Sequence, residues 1–138
     1  MTSQLLHSLA ATYARPVPDI RPGYTVRVFE KIQEGDKERI QIFEGLVISV
    51  HRGHTPTDAT ILVRRVASGV GVEKLFSLLS PMIDHIEVKK VAKVRRAKLF
   101  FLRGRAGKAA RLSERFTTNE EFGQAVAPAP EVEEALAE

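Results

Sequence analysis

From Tyr24 to Val88 the chain alternates apolar and polar side chains in short runs, and turn-forming residues separate the runs. Tyr24, Val26 and Val28 alternate with Thr25 and Arg27, the period of two expected of a half-buried β-strand. The pattern predicts strands over 24–32, 39–50, 60–66, 72–78 and 83–90, broken at Glu34-Gly35-Asp36, RGHTPTD, ASGVG and LSP. Gly45 interrupts the second run, and a glycine inside a strand marks a bulge or a close backbone approach. No helix is expected within 23–90. Short strands rich in β-branched residues predict an all-β domain, a small closed or nearly closed antiparallel barrel that hides its sheet edges.

The flanks read differently. Leu5, Leu6, Leu9 and Tyr13 recur at three- and four-residue spacing, which predicts a short amphipathic helix within 1–15, ended by Pro16 and Pro18. After Lys90 the alternation fades into KVRRAKLFFLRGRAGKAAR, residues 93–111, with eight Lys or Arg and no acid around the apolar block Leu99-Phe100-Phe101-Leu102. Periodicity over so few residues leaves open whether that block is a short helix or extended. Past Phe116 the sequence is acidic, rich in Ala and Pro and poor in bulky aliphatics, the composition of a disordered tail. The expected organisation is thus an N-terminal helix (1–15), a proline-rich linker (16–22), a β-barrel (23–90), a basic arm (91–116) and an acidic tail (117–138).

Charge sharpens this division. The net charge of +4 conceals six acids after Thr117 with no Lys or Arg among them, so residues 1–116 hold 21 basic against 11 acidic side chains, a net +10. Lys89 to Arg115 hold 11 of those basic groups and one acid, Glu114. Cysteine is absent, which excludes disulfide frameworks, Cys-based zinc sites and thiol nucleophiles and fits a cytosolic protein. No apolar run reaches the length of a membrane span. The N-terminus carries Ser, Thr and Arg15 before any acid, which fits an organellar leader in composition, although a short amphipathic helix is the plainer reading.

Several catalytic motifs are suggested and then fail. RGRAGKAA lacks the early glycine and the hydroxyl of a phosphate loop, where Leu102 and Ala109 stand instead. GVGVEK, Gly69 to Lys74, lacks the third glycine of a dinucleotide fingerprint and reads as a hairpin turn. His51, His54 and Asp58 share a polar loop, where solvated histidines are the commoner outcome than a metal site. Asp84 and His85 are neighbours in a strand and are expected on opposite faces, unable to form an acid–base pair. No metal, no cofactor and no catalytic site is expected.

The arm suits a polyanion. Arginine forks match phosphate oxygens, lysine adds mobile charge, and a nucleic acid gives back condensed counterions on binding. Gly104 and Gly107 let the backbone approach a phosphate, and Ala106, Ala109 and Ala110 keep side chains out of the way. A membrane-surface or calmodulin-type segment would need a wide apolar stripe at helical spacing, whereas the cations here run all round the chain. A nuclease would need convergent acids or metal ligands, which the sequence does not offer. Leu99 to Leu102 is read as an anchor for the arm, on its own barrel or on a neighbouring protein, with Phe100 and Phe101 as possible base-stacking rings.

RPGYTVRV (21–28), RIQIFEGLVI (39–48), VRRVASGVGVEKLFSLLSP (63–81), IDHIEV (83–88) and KVRRAKLFFLRGRAGKAAR closely resemble the bacterial large-subunit ribosomal protein number nineteen family, from about Arg21 to Arg115. The resemblance implies a non-enzymatic constituent of the large ribosomal subunit with an SH3-like barrel, bound to large-subunit rRNA near the subunit interface and helping to form an intersubunit bridge in the cytoplasmic ribosome. It implies neighbouring large-subunit proteins as partners, number fourteen among them, small-subunit rRNA across the interface, and no membrane. Carried over by position, the RNA contacts are Arg95, Arg96, Lys98, Arg103, Arg105, Lys108 and Arg111 in the arm, with Arg39, Arg64 and Arg65 from the barrel. Tyr24 stands where the family usually has Asp, and Leu79 where it often has His, so polar contacts from those positions do not transfer.

Overall fold

The computed structural model of the 138-residue chain describes residues 2–105 and Leu112. A helix, α1 (Thr2–Thr12), precedes five strands: β1 (Thr25–Glu34), β2 (Lys37–His51), β3 (Thr60–Ala67), β4 (Val70–Ser77) and β5 (Ile83–Lys90). One 3₁₀ turn, Pro56–Asp58, lies between β2 and β3, a small departure from the expectation of no helical turn there; a second, Phe100–Gly104, lies in the arm. The β1–β2 and β3–β4 connections are two-residue hairpins, closed by the Glu34–Lys37 and Ala67–Val70 pairs. At the second, Ser68 and Gly69 both take positive φ, 52° and 77°. That is the type I′ geometry whose twist matches the strands, and it accounts for the GVGVEK glycine without any nucleotide.

All ladders are antiparallel, in the order β4-β3-β2-β1-β5. The chain is mostly β, as expected, but strand pairing makes an open sheet and not a ring: β4 and β5 remain its two edges. The sheet is nevertheless strongly curled. Lys74 on β4 forms an ion pair with Glu30 on β1, three strands away, a span of roughly 14 Å if the sheet were flat. Val26, Val28, Val47, Ile61, Val63, Phe76, Ile83, Ile86 and Val88 bring all five strands into one buried cluster on the concave face. Ile20, Leu78 and Val91, from segments outside the strands, complete that core by side-chain packing where no ladder bonds do. Arg15 fastens the linker through Nη2, which donates to the Ser80 carbonyl at 2.8 Å.

One expectation needs correction, and two elements behave in ways that spacing alone does not specify. The stripe on α1 does not pack on the sheet: Leu5, Leu6, Leu9 and Tyr13 are each at least 58% exposed, and Ala10 is the buried side chain. An alanine presents too little surface to fix the helix more firmly than this. Asp84 and His85 do meet, Nδ1 to Oδ2 at 2.7 Å. The β1–β5 register jumps from Phe29–His85 to Glu30–Ile83, so Asp84 is the extra residue of a bulge and loses the alternation that would have separated them. Both remain exposed, and His85 stacks on Phe29 with centroids 4.0 Å apart. In the loop after β2, Asp58 works as a brace: it accepts from the Thr55 amide at 3.4 Å, and its Cβ fills the space beside Gly53. The Thr55 hydroxyl, followed by the amide, holds this carboxyl below its ordinary pKa.

The glycine at 45 is a close approach. A Cβ there would lie 2.6 Å from the Arg64 carbonyl oxygen and 2.8 Å from Val63 Cγ1. Gly45→Ala should therefore force β2 and β3 apart and cost about 1–3 kcal/mol of stability, as overpacking usually does, measured by urea denaturation with the slope unchanged.

Candidate nucleic-acid interface

The arm is seated by an irregularity in β2. Its pairing with β3 runs Val47–Val63 and then Ser49–Leu62, so Ile48 is the extra residue of a bulge. Val47 and Val50 both serve the concave core, while Ile48 joins Leu46 and Leu62 in a second apolar cluster. Leu99 and Leu102 close that cluster, exposed by only 1% and 4%, with Val94, Phe101 and Leu112 packed around them. The Leu99 amide donates to the Ile48 carbonyl at 2.8 Å. The apolar block of the arm therefore docks on the chain's own sheet.

Local geometry explains which residues go in and which come out. Phe100–Gly104 forms a 3₁₀ turn, with the Leu102 amide on the Leu99 carbonyl and the Arg105 amide on the Leu102 carbonyl, both at 3.2 Å. At three residues per turn, Leu99 and Leu102 eclipse on the buried side. Phe100 is left exposed and Phe101 half-buried. Each ring then gathers two cations. Arg96 and Arg105 lie 5.1 and 4.9 Å from the Phe101 centroid, and Lys98 and Arg103 lie 5.8 and 4.5 Å from that of Phe100. These are attractive positions over the negative ring faces, and they hold like charges apart on a common platform.

One carboxylate enters this platform. Arg103 forks onto Glu73 of β4, Nε to Oε1 at 2.7 Å and Nη2 to Oε2 at 2.8 Å, and Arg64 Nη1 reaches the same Oε1 at 3.2 Å. The Arg103 hydrogen bond, opposed by burial and aided by the charges of Arg103 and Arg64, lowers the Glu73 pKa, and in return the Arg103 pKa is raised. Arg64 is packed so tightly over Gly71 that a Cβ there would meet its guanidinium at 2.5 Å.

Of the residues expected to bind, Arg95, Arg96, Lys98, Arg103 and Arg105 are all exposed, and the last four gather over Phe100 and Phe101. Lys108 and Arg111 lie outside the described residues, as does the acidic tail. Arg64 is mostly covered and tied to Glu73. Arg65, the next residue of β3, takes the other face and lies 5.5 Å from the Phe43 centroid, away from the arm. Arg39 pairs with Glu34 near the β1–β2 hairpin, some 23 Å along β2 from Leu46. Sequence reasoning missed Glu73, which contacts the arm from 30 positions away, and missed the phenylalanines as organisers of the cations. The signal for the second was present in Phe100 and Phe101, each with a cation within five residues on both sides. Among the described residues a Cβ on Gly104 would touch nothing, so the fold itself does not require a glycine there.

Comparison with known proteins places this geometry in a family. The sequence model of the family described as Ribosomal protein L19 matches residues 4–115, which extends the resemblance back into α1. The chain is 48% identical over 130 residues to the large ribosomal subunit protein bL19 of an Anaeromyxobacter species, covering 94% of this chain and 92% of that one. It is 51% identical over 113 residues to bL19 of Chloroherpeton thalassium, with 82% and 92% covered. Against bL19 of Metamycoplasma arthritidis it is 54% identical over 98 residues, with 71% and 81% covered.

Two outcomes follow from the seat. Leu99→Ala should cost about 2–4 kcal/mol of arm docking while the concave core stays intact. Trypsin should then cut at Arg95 and Arg96 far faster than in the parent chain, with the melting of the sheet little changed. The second concerns acid. Because the Glu73 pKa is lowered from its ordinary 4.5 on folding, its contribution is complete above that value and is lost as pH falls through the folded one. Protection of the Leu99 amide, corrected for intrinsic exchange, should hold from neutral pH to about 5 and decline below 4.5, and Glu73→Gln should remove that decline.

Proposed function

The chain belongs to the ribosomal protein L19 family and is a structural protein of the large ribosomal subunit, not an enzyme; from that premise we propose that its arm binds large-subunit rRNA through phosphate contacts. The observation that carries this reading is the platform itself. Arg95, Arg96, Lys98 and Arg105 are exposed and make no ion pair among the described residues, and the last three lie over two phenylalanine rings. Phosphate contacts of this kind fix position and register and carry no base sequence, which suits a protein that stabilises a folded RNA. Lys108 and Arg111 extend the same charge along the chain.

The rival membrane-surface reading loses its apolar face, because Leu99 and Leu102 are used on the chain's own sheet. Within the large subunit of the cytoplasmic ribosome, we further infer a position on rRNA near the subunit interface, with a share in an intersubunit bridge, small-subunit rRNA opposite and other large-subunit proteins alongside; family membership supports this reading. In this reading the curled five-stranded sheet is the body that presents the arm, and its curl and single concave core are compatible with an SH3-like barrel.

The test uses the full chain and a large-subunit rRNA transcript. Replacing Arg95, Arg96, Lys98 and Arg105 together by Ala should flatten the dependence of log K on log salt by about 3, at roughly 0.7–0.9 per phosphate contact. The same variant should enter large subunits poorly in competition with the parent. An unchanged slope with normal occupancy would defeat the proposal.

A further inference from the structure

Resting on the reading of the arm as an RNA-binding element, we propose that Arg103 is a positioning residue and not a phosphate ligand: forked onto Glu73 and laid on Phe100, it sets the orientation of the arm before RNA arrives. The other cations of the platform differ from it in kind. Arg103 has both oxygens of one carboxylate, at 2.7 and 2.8 Å, and its 4.5 Å approach to a ring centroid is the shortest of the four in the arm. Arg95, Arg96, Lys98 and Arg105 have no carboxylate among the described residues. The carboxylate is itself fixed. Glu73 lies on a paired strand opposite Arg64, its side chain is 23% exposed, and Arg64 locks it from below with a side chain that is 17% exposed.

This arrangement answers a physical need. Leu99 and Leu102 hold the arm to the sheet at one short stretch, but two aliphatic side chains leave rotation about that stretch weakly defined. A planar, two-point ion pair fixes direction as well as distance. An arm so oriented presents its remaining cations together, and RNA binding then needs less ordering of side chains and backbone. Phe100 covers the Arg103 guanidinium from the side, which limits the water that would otherwise compete for Glu73.

The proposal makes a sign prediction that simple charge counting reverses. Glu73→Gln adds one unit of positive charge beside the arm and frees Arg103. If Arg103 were a phosphate ligand held in check, RNA binding would tighten and the salt slope would steepen by about 1. A positioning role requires the opposite: affinity for the rRNA transcript falls about fivefold, as the binding-competent orientation becomes a minor population, with no steepening of the slope. Arg103→Gln should weaken binding by a similar factor with an unaltered slope, whereas Arg105→Gln should lower the slope by about 1. The double variant Glu73→Gln with Arg103→Gln should be no worse than either single change, the mark of one shared interaction. Hydrogen exchange without RNA supplies an independent reading: the Leu99 amide should exchange faster in both Glu73→Gln and Arg103→Gln and not in Arg105→Gln, with the β1 core amides unaffected in all three. Tighter binding by Glu73→Gln, or an unchanged Leu99 amide in both variants, overturns the proposal. A salt slope near zero in the parent chain counts instead against the RNA reading, and the exchange data still decide the role of Arg103.

Discussion

One extra residue in β2 governs how this molecule is put together. Regular alternation would put Ile48 and Val50 on the same face, but the bulge puts Val50 on the concave core and leaves Ile48 for the other side. Apolar surface stands on both faces, Val47 and Val50 inward and Leu46 and Ile48 outward, and the outer patch must be covered. Leu99 and Leu102 cover it, and the Leu99 amide takes the Ile48 carbonyl at the same place. Burying two leucines is worth roughly 3–6 kcal/mol at most, enough to hold a short segment and too little to order a long one. The described contacts of the arm with the sheet centre on one 3₁₀ turn, with Val94 and Leu112 packed beside it.

Arg96, Lys98, Arg103 and Arg105 are arranged around that turn. A helix would have spread the four residues from Leu99 to Leu102 around its circumference; a 3₁₀ turn sends two inward and leaves Phe100 and Phe101 beside the cations. The rings matter because eight basic groups in 19 residues repel one another and have no acid among them to offset the repulsion. Ring faces attract cations without neutralising them, so the charge remains available to an outside anion. Glu73 does neutralise, and it does so for Arg64 and Arg103, the two arginines nearest the sheet. The positive field is thus moderated where the arm meets its support and retained where it faces outward.

Much of this was legible in the sequence, and the gaps have definite causes. All five strands, the hairpin at Gly69 and the close approach at Gly45 follow from period-two alternation and turn chemistry, which are local. The curl of the sheet into an open structure does not, because closure depends on how the edges β4 and β5 meet, and pairing between distant strands leaves no local mark. Bulges defeated the pattern twice: at Ile48 the run LVISV is apolar on both faces, and at Asp84 alternation put two contacting side chains on opposite sides. The apolar block was recognised as an anchor, but four residues carry too little periodicity to separate a period of 3.0 from 3.6. Glu73 escaped because a carboxylate 30 positions away looks like any other polar residue on a strand.

The two kinds of contact in the arm respond differently to solution conditions, and that difference fits the function. Burial of Leu99 and Leu102 is an exchange of apolar surface with water and is largely insensitive to salt at physiological levels. The phosphate contacts proposed for Arg95, Arg96, Lys98 and Arg105 would be driven by counterion release and would weaken steeply as salt rises. The apolar seat would therefore persist under conditions that loosen contacts to phosphate, while the partly exposed Arg103–Glu73 pair that orients the arm is itself open to screening. In the proposed role, weak initial contacts could break and re-form while the arm stays docked on the sheet. Had the arm been held to the sheet mainly by ion pairs, the salt that permits such correction would have dismantled the array as well.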